Sequence, residues 1–164
     1  ADDASPPRIK VSANYLNSRL AGLEAKRSGA NAIILNRDGM VSEGPGGCLF
    51  LCRDEKLVTP TINDGILESI TRNTLLTLAA DAGIEVQERR VGRTELHLAS
   101  EGFYCGTGQE LTPINTIDGK PLSDGKPGPI TRILQSAYDD LVRGRNKKYL
   151  HWLTPVWPDE SREG

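Results

Sequence analysis

The chain carries a lysine in a setting that suits carbonyl chemistry. Lys10 lies between the apolar residues Ile9 and Val11. A lysine amine is protonated at neutral pH, and it becomes a nucleophile toward a carbonyl group only where burial or a nearby cation lowers its pKa. The apolar neighbours would allow such a partly desolvated setting, although an ordinary surface lysine beside a linker fits the same residues. Tyr15 follows five positions later, where its phenol could donate a hydrogen bond to a bound oxygen or fill a half-buried core position.

A carboxylate at a glycine-rich turn is the second candidate group. Glu43 follows a predicted strand and precedes a turn at residues 44–47 that holds three glycines and a proline. Glycine lets a backbone approach a ligand closely. A carboxylate at such a turn would keep a bound ring nitrogen protonated, which makes the ring an electron sink. A solvated glutamate at the end of a strand is the alternative interpretation.

Two later turns have the composition of anion-binding sites. Ser69, Ile70 and Thr71 open a predicted helix, whose free amides and dipole favour a negative group. Ser69 also fits a simple helix cap. Gly106, Thr107 and Gly108 leave a predicted strand and surround a hydroxyl group with flexible backbone, which again suits an anion.

These residues must be positioned by a mixture of helices and strands. Apolar periodicity and turn residues predict helices over 14–27, 70–82, a short one over 94–99 and one from Pro129 onward, where Ile130, Ile133, Leu134, Ala137 and Leu141 form an apolar stripe. Strands are predicted over 32–36, 40–42, 48–52, 84–91, 102–105 and 110–117, with tight turns at 37–39, 54–56 and 118–119. The elements do not strictly alternate. We therefore expect an α+β fold with a mostly antiparallel or barrel-like sheet.

Composition describes a soluble globular protein. The chain has 164 residues, 37% hydrophobic and 26% charged residues, and a formal net charge of -2. This charge gives no reason to expect nucleic acid or an anionic membrane as a partner, and no stretch approaches the length of a membrane span. We expect neither a disulfide framework nor a metal site, because three cysteines are an odd number and the two histidines lack ligand spacing to them. A cytoplasmic location is expected.

Five segments, taken in order, resemble the class IV (fold type IV) pyridoxal phosphate aminotransferases, and most of all the branched-chain amino acid aminotransferases. They are residues 10–17, 38–44, 66–72, 106–113 and 124–131. The similarity extends over residues 8–144. It implies a linker over 1–9, a large domain that binds pyridoxal phosphate over 10–144 and a C-terminal tail over 145–164.

The resemblance also implies a role for each candidate residue. Lys10 would hold the cofactor as a Schiff base and then move the proton of the substrate. Tyr15 would bind the ring oxygen, Glu43 the ring nitrogen, and Leu67 would pack beside the ring. The phosphate group would be bound by Ser69, Ile70, Thr71 and Thr107, and the substrate carboxylate by Gly106, Thr107 and Gly108.

The chain departs from the family pattern at several positions. Ser69 stands where the family usually has glycine, Cys48 where it usually has asparagine, and Gly47 where an acidic or polar residue is common. These changes affect loop geometry and substrate choice more than cofactor binding. Family members also carry a small N-terminal domain ahead of the lysine, which is expected here on a separate polypeptide.

The function implied is transfer of an amino group between an amino acid, branched-chain or otherwise hydrophobic, and a 2-oxo acid, by a homodimer of the completed unit. A D-amino acid or amine transaminase and an aminodeoxychorismate lyase of the same fold are the alternatives. A non-catalytic subunit is a further alternative, although it would have no chemical need for the whole set of residues.

Overall fold

The computed structural model describes residues 5–156 and shows a five-stranded sheet with helices packed on one face. The strands are β1 (Cys48–Arg53), β2 (Lys56–Thr59), β3 (Val86–Glu88), β4 (Glu101–Gly106) and β5 (Glu110–Pro113), in the order β3-β2-β1-β4-β5. A separate hairpin contains β6 (Thr116–Ile117) and β7 (Lys120–Pro121). The helices are α1 (Tyr15–Arg27), α2 (Ile70–Asp81) and α3 (Pro129–Val142), with 3₁₀ helices at Ser12–Asn14, Ile62–Asp64, Arg93–Leu98 and Lys147–Trp152.

The sheet is mostly antiparallel. β1 pairs antiparallel with β2 and β4, β4 pairs antiparallel with β5, and β2 pairs in parallel with β3. The predicted α+β fold with a mostly antiparallel sheet is therefore confirmed. Within residues 5–156 the sheet stays open and does not close into a barrel, because β3 and β5 each have one neighbour.

β1 is buried on both of its faces. Cys48, Phe50 and Cys52 contribute to the core beneath α2 and α3, whereas Leu49 and Leu51 contribute to a second core on the opposite face of the sheet. A strand that is covered on both faces needs apolar residues at every position and not only at alternate ones. This burial explains the continuous apolar run and confirms the prediction of a central strand.

One hairpin precedes β1 and extends to Glu43, and a second hairpin joins β1 to β2. Between β1 and β2 the chain turns at Asp54 and Glu55, both with positive φ of 50° and 62°, the conformation of a tight hairpin turn. The earlier hairpin turns at Gly39, with φ of 74°. Its arms are joined by the bond from the Ile34 amide to the Glu43 carbonyl, 2.8 Å long, so pairing continues up to the candidate carboxylate.

The three long helices were predicted closely from sequence. Gly29 and Gly83 end the first two with φ of 68° and 70°, which suits glycine after a helix. Pro129 begins α3 as expected. Ile133 was wrongly assigned to the buried stripe: it is 48% exposed, since it points about 100° away from the direction of Leu134 on a helix of 3.6 residues per turn.

Five predicted elements differ from the structure in length or type. The strands expected over 32–36 and 40–42 are present only as isolated bridges, Leu35 with Val41 and Met40 with Gly92. Of the strand expected over 84–91, only β3 forms, and it is an edge strand with one neighbour. The strand expected over 110–117 divides into β5 and β6 after Pro113, because proline has no amide to continue a ladder. The short helix expected over 94–99 is the 3₁₀ helix Arg93–Leu98.

The segment after α3 folds back onto the core. Tyr149 is buried, packs in the core beneath α2 and α3, and donates its hydroxyl proton to Asp81 at 2.7 Å. Lys148 binds the same carboxylate at 2.6 Å. Part of the expected tail over 145–164 is therefore packed on the domain, whereas residues 157–164 lie outside the described part, as do residues 1–4 of the expected linker.

Gly44 allows the turn after Glu43 to lie directly on the sheet. A Cβ atom at Gly44 would be 2.6 Å from Cε1 of Tyr104, whereas one at Gly46 would meet only the Gln109 side-chain amide at 3.4 Å. The Tyr104 ring cannot move away easily, because its hydroxyl donates to the Ala32 carbonyl at 3.0 Å and the residue is buried.

We expect Gly44→Ala to destabilise the protein by about 2 kcal/mol, the usual cost of overpacking a well-packed site. Gly46→Ala is the matched control in the same turn and should change the free energy of unfolding by less than about 0.5 kcal/mol. Urea denaturation of both variants measures the difference. Equal stability of the two variants would contradict the proposed contact with Tyr104.

Candidate active site

The backbone before Lys10 is held by the side chain of Asn14. The Asn14 amide nitrogen donates to the Pro6 carbonyl at 2.7 Å and to the Ile9 carbonyl at 2.8 Å. These two bonds tie the segment ahead of the lysine to the start of α1. Lys10 is therefore presented from an ordered turn, although no regular element contains it.

Lys10 and Tyr15 are in direct contact. The Lys10 Nζ donates to the Tyr15 hydroxyl oxygen at 2.9 Å. This hydrogen bond is the main cause that raises the pKa of Lys10 above its usual value, and the lysine is exposed. Of the two interpretations of Lys10, the exposed lysine is the one found within residues 5–156, because its apolar neighbours Ile9 and Val11 are themselves exposed and do not cover it.

Glu43 is anchored through only one of its oxygens. Its Oε2 accepts the Leu67 backbone amide at 3.1 Å, and the Cys48 Sγ lies 3.9 Å from the same atom. Among residues 5–156, no hydrogen bond is made to Oε1. Burial raises the pKa of the Glu43 carboxyl above its usual value, while the Leu67 and Cys48 hydrogen bonds and the positive charge of Lys10 act in the opposite direction. The carboxylate is thus oriented, partly desolvated and electrostatically coupled to the lysine.

The start of α2 is a helix N-terminus with free donors. Ser69 is the N-cap and its hydroxyl accepts the Arg72 amide at 3.3 Å. Within the described chain, the amides of Ile70 and Thr71 and the Thr71 hydroxyl have no hydrogen-bond partner. The exposed amides of a first helical turn attract anions. Both the expected capping and the expected donor set are therefore present at this turn.

The second predicted anion turn lies against the turn that follows Glu43. A Cβ atom at Gly47 would be 2.7 Å from the Cys105 carbonyl oxygen, and one at Gly106 would be 3.1 Å from the Gly46 carbonyl oxygen. These approaches bring residues 44–47 and 106–108 together. Thr107 and Gly108 are exposed at the end of β4.

Sequence reasoning gave no role to the buried side chain of Arg72. Arg72 lies in the first turn of α2, where the helix dipole disfavours a cation. Its guanidinium donates to the Pro60 carbonyl at 3.0 Å and to Glu88 at 2.7 Å, while its buried Nε has no partner among the described residues. Arg72 thus fixes the start of α2 to the segment after β2 and to β3. An arginine at the unfavourable end of a helix was the sequence signal for such a bond.

Sequence reasoning also predicted no contact for Asn14 or Cys48. Asn14 lies within the motif at residues 10–17, and Cys48 is a departure from the family pattern. The structure places Asn14 against the backbone before Lys10 and Cys48 against Glu43. A polar residue such as Asn14 at the start of a helix is typical of capping, whereas no sequence pattern indicated the contact of Cys48 with Glu43.

The assembled groups suit a ligand that combines an anion with an aromatic nitrogen and a carbonyl carbon. The free Oε1 of Glu43 can receive a protonated ring nitrogen, and the start of α2 can receive a dianion. Lys10 lies close enough to Glu43 for its charge to lower the pKa of that carboxyl. The structure links Glu43 to α2 through Leu67, which is two residues before the N-cap Ser69.

Comparison with known proteins identifies the family. Residues 1–117 match the family described as Amino-transferase class IV. The chain belongs to the class IV aminotransferases. The resemblance found in the sequence motifs is thereby confirmed.

The relatives of this class IV chain include branched-chain enzymes. The probable branched-chain-amino-acid aminotransferase of Aquifex aeolicus is 45% identical over 158 residues, which are 95% of this chain and 51% of the relative. The crystal structure of the branched-chain amino acid aminotransferase of Thermobaculum terrenum in its PLP form has a TM-score of 0.92 and 52% identity, covering 95% of this chain and 52% of that one. The branched-chain aminotransferase of Thermoproteus uzoniensis with norvaline has a TM-score of 0.92 and 44% identity, covering 96% and 52%. The chain spans about half the length of the relatives it matches.

Metal-binding clusters and membrane-spanning helices are not found among the described residues. Within residues 5–156, no group of three His, Cys, Asp or Glu side chains is arranged to hold a metal ion, and no helix is both long and apolar enough to cross a membrane. The three cysteines are free and buried.

We predict that Tyr15→Phe lowers the pKa of Lys10, because the hydrogen bond that stabilises the charged amine is lost. Titration of the lysine side chains by NMR in the protein without cofactor measures the change, with Lys26 on α1 as the internal reference. An unchanged pKa of Lys10 would show that the 2.9 Å contact does not form in solution.

Proposed function

We propose that this chain is the cofactor-binding half of a pyridoxal phosphate aminotransferase. The orientation of Glu43 is the observation that carries this function: one oxygen is fixed by the Leu67 amide, the other has no hydrogen-bond partner among residues 5–156, and the charge of Lys10 acts on the carboxylate. Pyridoxal phosphate has an aldehyde, a ring nitrogen and a phosphate, and it supplies the electron sink for amino-group transfer. The described donor set fits each of these three groups.

Each candidate residue has a place in this function. Lys10 would attach to the cofactor through an imine, and its Nζ would take and return the proton of the substrate α-carbon. Tyr15 would bind the ring oxygen and Glu43 the ring nitrogen, with Leu67 beside the ring. For the phosphate we propose the Ser69, Ile70 and Thr71 turn together with Thr107, and for the substrate carboxylate the turn Gly106, Thr107 and Gly108.

We propose an amino acid with a branched-chain or other hydrophobic side chain as the donor and a 2-oxo acid as the acceptor. The support is the similarity to branched-chain aminotransferases, one of which was crystallised with norvaline. The free thiols of the three cysteines fit a reducing compartment, so a cytoplasmic location is part of the proposal.

Replacement of the lysine tests the function. In the full protein loaded with pyridoxal phosphate, borohydride reduction should fix the cofactor to Lys10, as mapped by mass spectrometry. Lys10→Ala should lose the adduct and about 10³-fold or more in kcat/KM, since a positioned acid and base contributes about 10²–10⁴-fold.

The matched control is Lys26→Ala, which removes an exposed lysine from the end of α1. This variant should keep the adduct on Lys10. An adduct that maps to another lysine, or that survives in Lys10→Ala, would contradict the assignment.

α1 supports a further part of the proposal, because its apolar side faces away from the domain. Leu16, Leu20 and Leu23 recur at helical spacing and are 68%, 63% and 49% exposed, and α1 has no buried residue. The half-covered positions of α1 are the smaller residues Ser18, Ala21, Gly22 and Ala25 on the opposite side. A 13-residue helix is only marginally stable in water without a packed face.

We propose that the leucine face packs against a companion segment that carries the small N-terminal domain, on a separate polypeptide or a further part of the same one. The completed unit would form a homodimer. The support is the share of the relatives that this chain spans, about half, together with the uncovered leucines. A companion that covers α1 would also bury Lys10 and lower its pKa toward the range of a nucleophile.

We expect Leu20→Asp to weaken assembly of the full protein at least tenfold, because burial of a leucine contributes about 1.5–3 kcal/mol. Asn17→Asp is the control, since Asn17 is exposed on α1 about 60° around the helix from Leu20. Analytical ultracentrifugation measures both variants. Assembly of Leu20→Asp with the affinity of the unmodified protein would contradict the packing of this face.

A further inference from the structure

A cysteine lies at the one fixed oxygen of Glu43. The Cys48 Sγ is 3.9 Å from Glu43 Oε2 and 3.5 Å from the Leu67 carbonyl oxygen. The Leu67 amide donates to the same Oε2 at 3.1 Å. Cys48, Glu43 and the Leu67 backbone therefore form a closed group of three, in which Leu67 contacts Glu43 through its N–H and Cys48 through its C=O.

The geometry limits what the thiol can do. A neutral thiol has one proton, so it can serve only one of its two acceptors at a time. When it donates to Oε2, it stabilises the charged carboxylate directly. When it donates to the Leu67 carbonyl, it holds the residue whose backbone N–H is bound to that carboxylate. Both states favour the same orientation of Glu43.

We propose that Cys48 is a positioning residue that sets the orientation and proton affinity of Glu43, and thereby the protonation of the cofactor ring nitrogen. The link to the ring nitrogen rests on the proposed function, whereas the effect on Glu43 does not. Cys48 begins β1, and Leu67 precedes the N-cap of α2 by two residues. The thiol thus couples the carboxylate for the ring to the turn proposed for the phosphate.

The ionisable groups around Glu43 determine how strongly its pKa responds to the loss of one weak hydrogen-bond donor. Burial raises its pKa, and Lys10 is the cation that opposes this effect. Behind Cys48, the buried Cys105 lies opposite on β4, and the contact with Cys48 together with burial raises the pKa of its thiol. The charge of Arg72 acts on Cys105 in the opposite direction. The Leu67 amide and the Cys48 thiol are the only hydrogen-bond donors to the carboxylate among residues 5–156. Loss of one therefore removes a large fraction of the hydrogen bonding that stabilises the charged form.

Substitution of Cys48 tests the proposal in the full protein without cofactor, where failure of cofactor binding cannot affect the result. The measurement is the pKa of Glu43, followed by NMR of the ¹³C-labelled carboxyl group. Cys48→Ala removes the donor and should raise this pKa by about half a unit, the equivalent of one weak hydrogen bond. Cys48→Asn supplies two amide protons that can serve both acceptors at once, and should lower it.

Cys52→Ala is the matched control. Cys52 is equally buried on the same face of β1, burial raises the pKa of its thiol to about 12, and no hydrogen bond joins it to Glu43 among the described residues. This variant loses a similar volume from the same core and should leave the pKa of Glu43 unchanged.

Hydrogen exchange of the Leu67 amide gives a second readout that a general loss of packing would not reproduce. The exchange should become at least several-fold faster in Cys48→Ala and not in Cys52→Ala, because only the first variant removes the thiol that holds the Leu67 carbonyl and the carboxylate bound to the Leu67 N–H. If Cys48→Ala does not fold, the comparison of Cys48→Asn with the unmodified protein decides. The proposal is overturned if the pKa of Glu43 is unchanged in Cys48→Ala and Cys48→Asn, or shifts equally in Cys52→Ala.

Discussion

The hydrogen bond from the Leu67 amide to Glu43 is the interaction on which the candidate site depends. It fixes one carboxylate oxygen and leaves the other free, so the carboxylate has a defined direction. A half-buried carboxylate without this donor would have a still higher pKa and would favour the neutral form, which is a poor partner for a protonated ring nitrogen. The same peptide leads into the N-cap of α2, so the carboxylate and the helix N-terminus are positioned by one short segment.

The rest of the fold serves to hold this segment and the Glu43 turn against a rigid sheet. β1 is buried on both faces and gives the glycine turn a fixed place at which to end. Gly44 and Gly47 allow the turn to approach Tyr104 and the Cys105 carbonyl more closely than any side chain would permit. From the other side, the buried Arg72 joins the start of α2 to Pro60 and Glu88. By contrast, Lys10 is exposed and depends on Asn14 and Tyr15 for its position.

The sequence predicted elements best where a local pattern decides the structure. The helix ends at Gly29 and Gly83, the tight turn at Asp54 and the start of α3 at Pro129 all follow from backbone preferences of single residues. Prediction failed where burial depends on distant parts of the chain. Apolar neighbours would allow a covered Lys10, but coverage comes from tertiary contacts that these neighbours do not make.

The candidate site likewise contains parts that the sequence predicted and parts that it did not. The N-terminal amides of α2 and the exposed turn at Thr107 could be predicted, because they belong to helix and strand ends that the sequence marks. The contacts of Arg72 with Glu88 and of Cys48 with Glu43 could not, since sixteen and five residues separate the partners and no periodicity relates them. Such contacts depend on the register of the sheet and the packing of α2.

Protonation of the cofactor ring nitrogen is the most direct test of the central claim. The measurement is the ¹⁵N chemical shift of ring-labelled pyridoxal phosphate bound to the full protein, compared with the Glu43→Ala variant. A protonated ring nitrogen near neutral pH that becomes unprotonated in Glu43→Ala is the predicted result. An unprotonated nitrogen in the unmodified protein, or the same shift in both proteins, would contradict the role of Glu43.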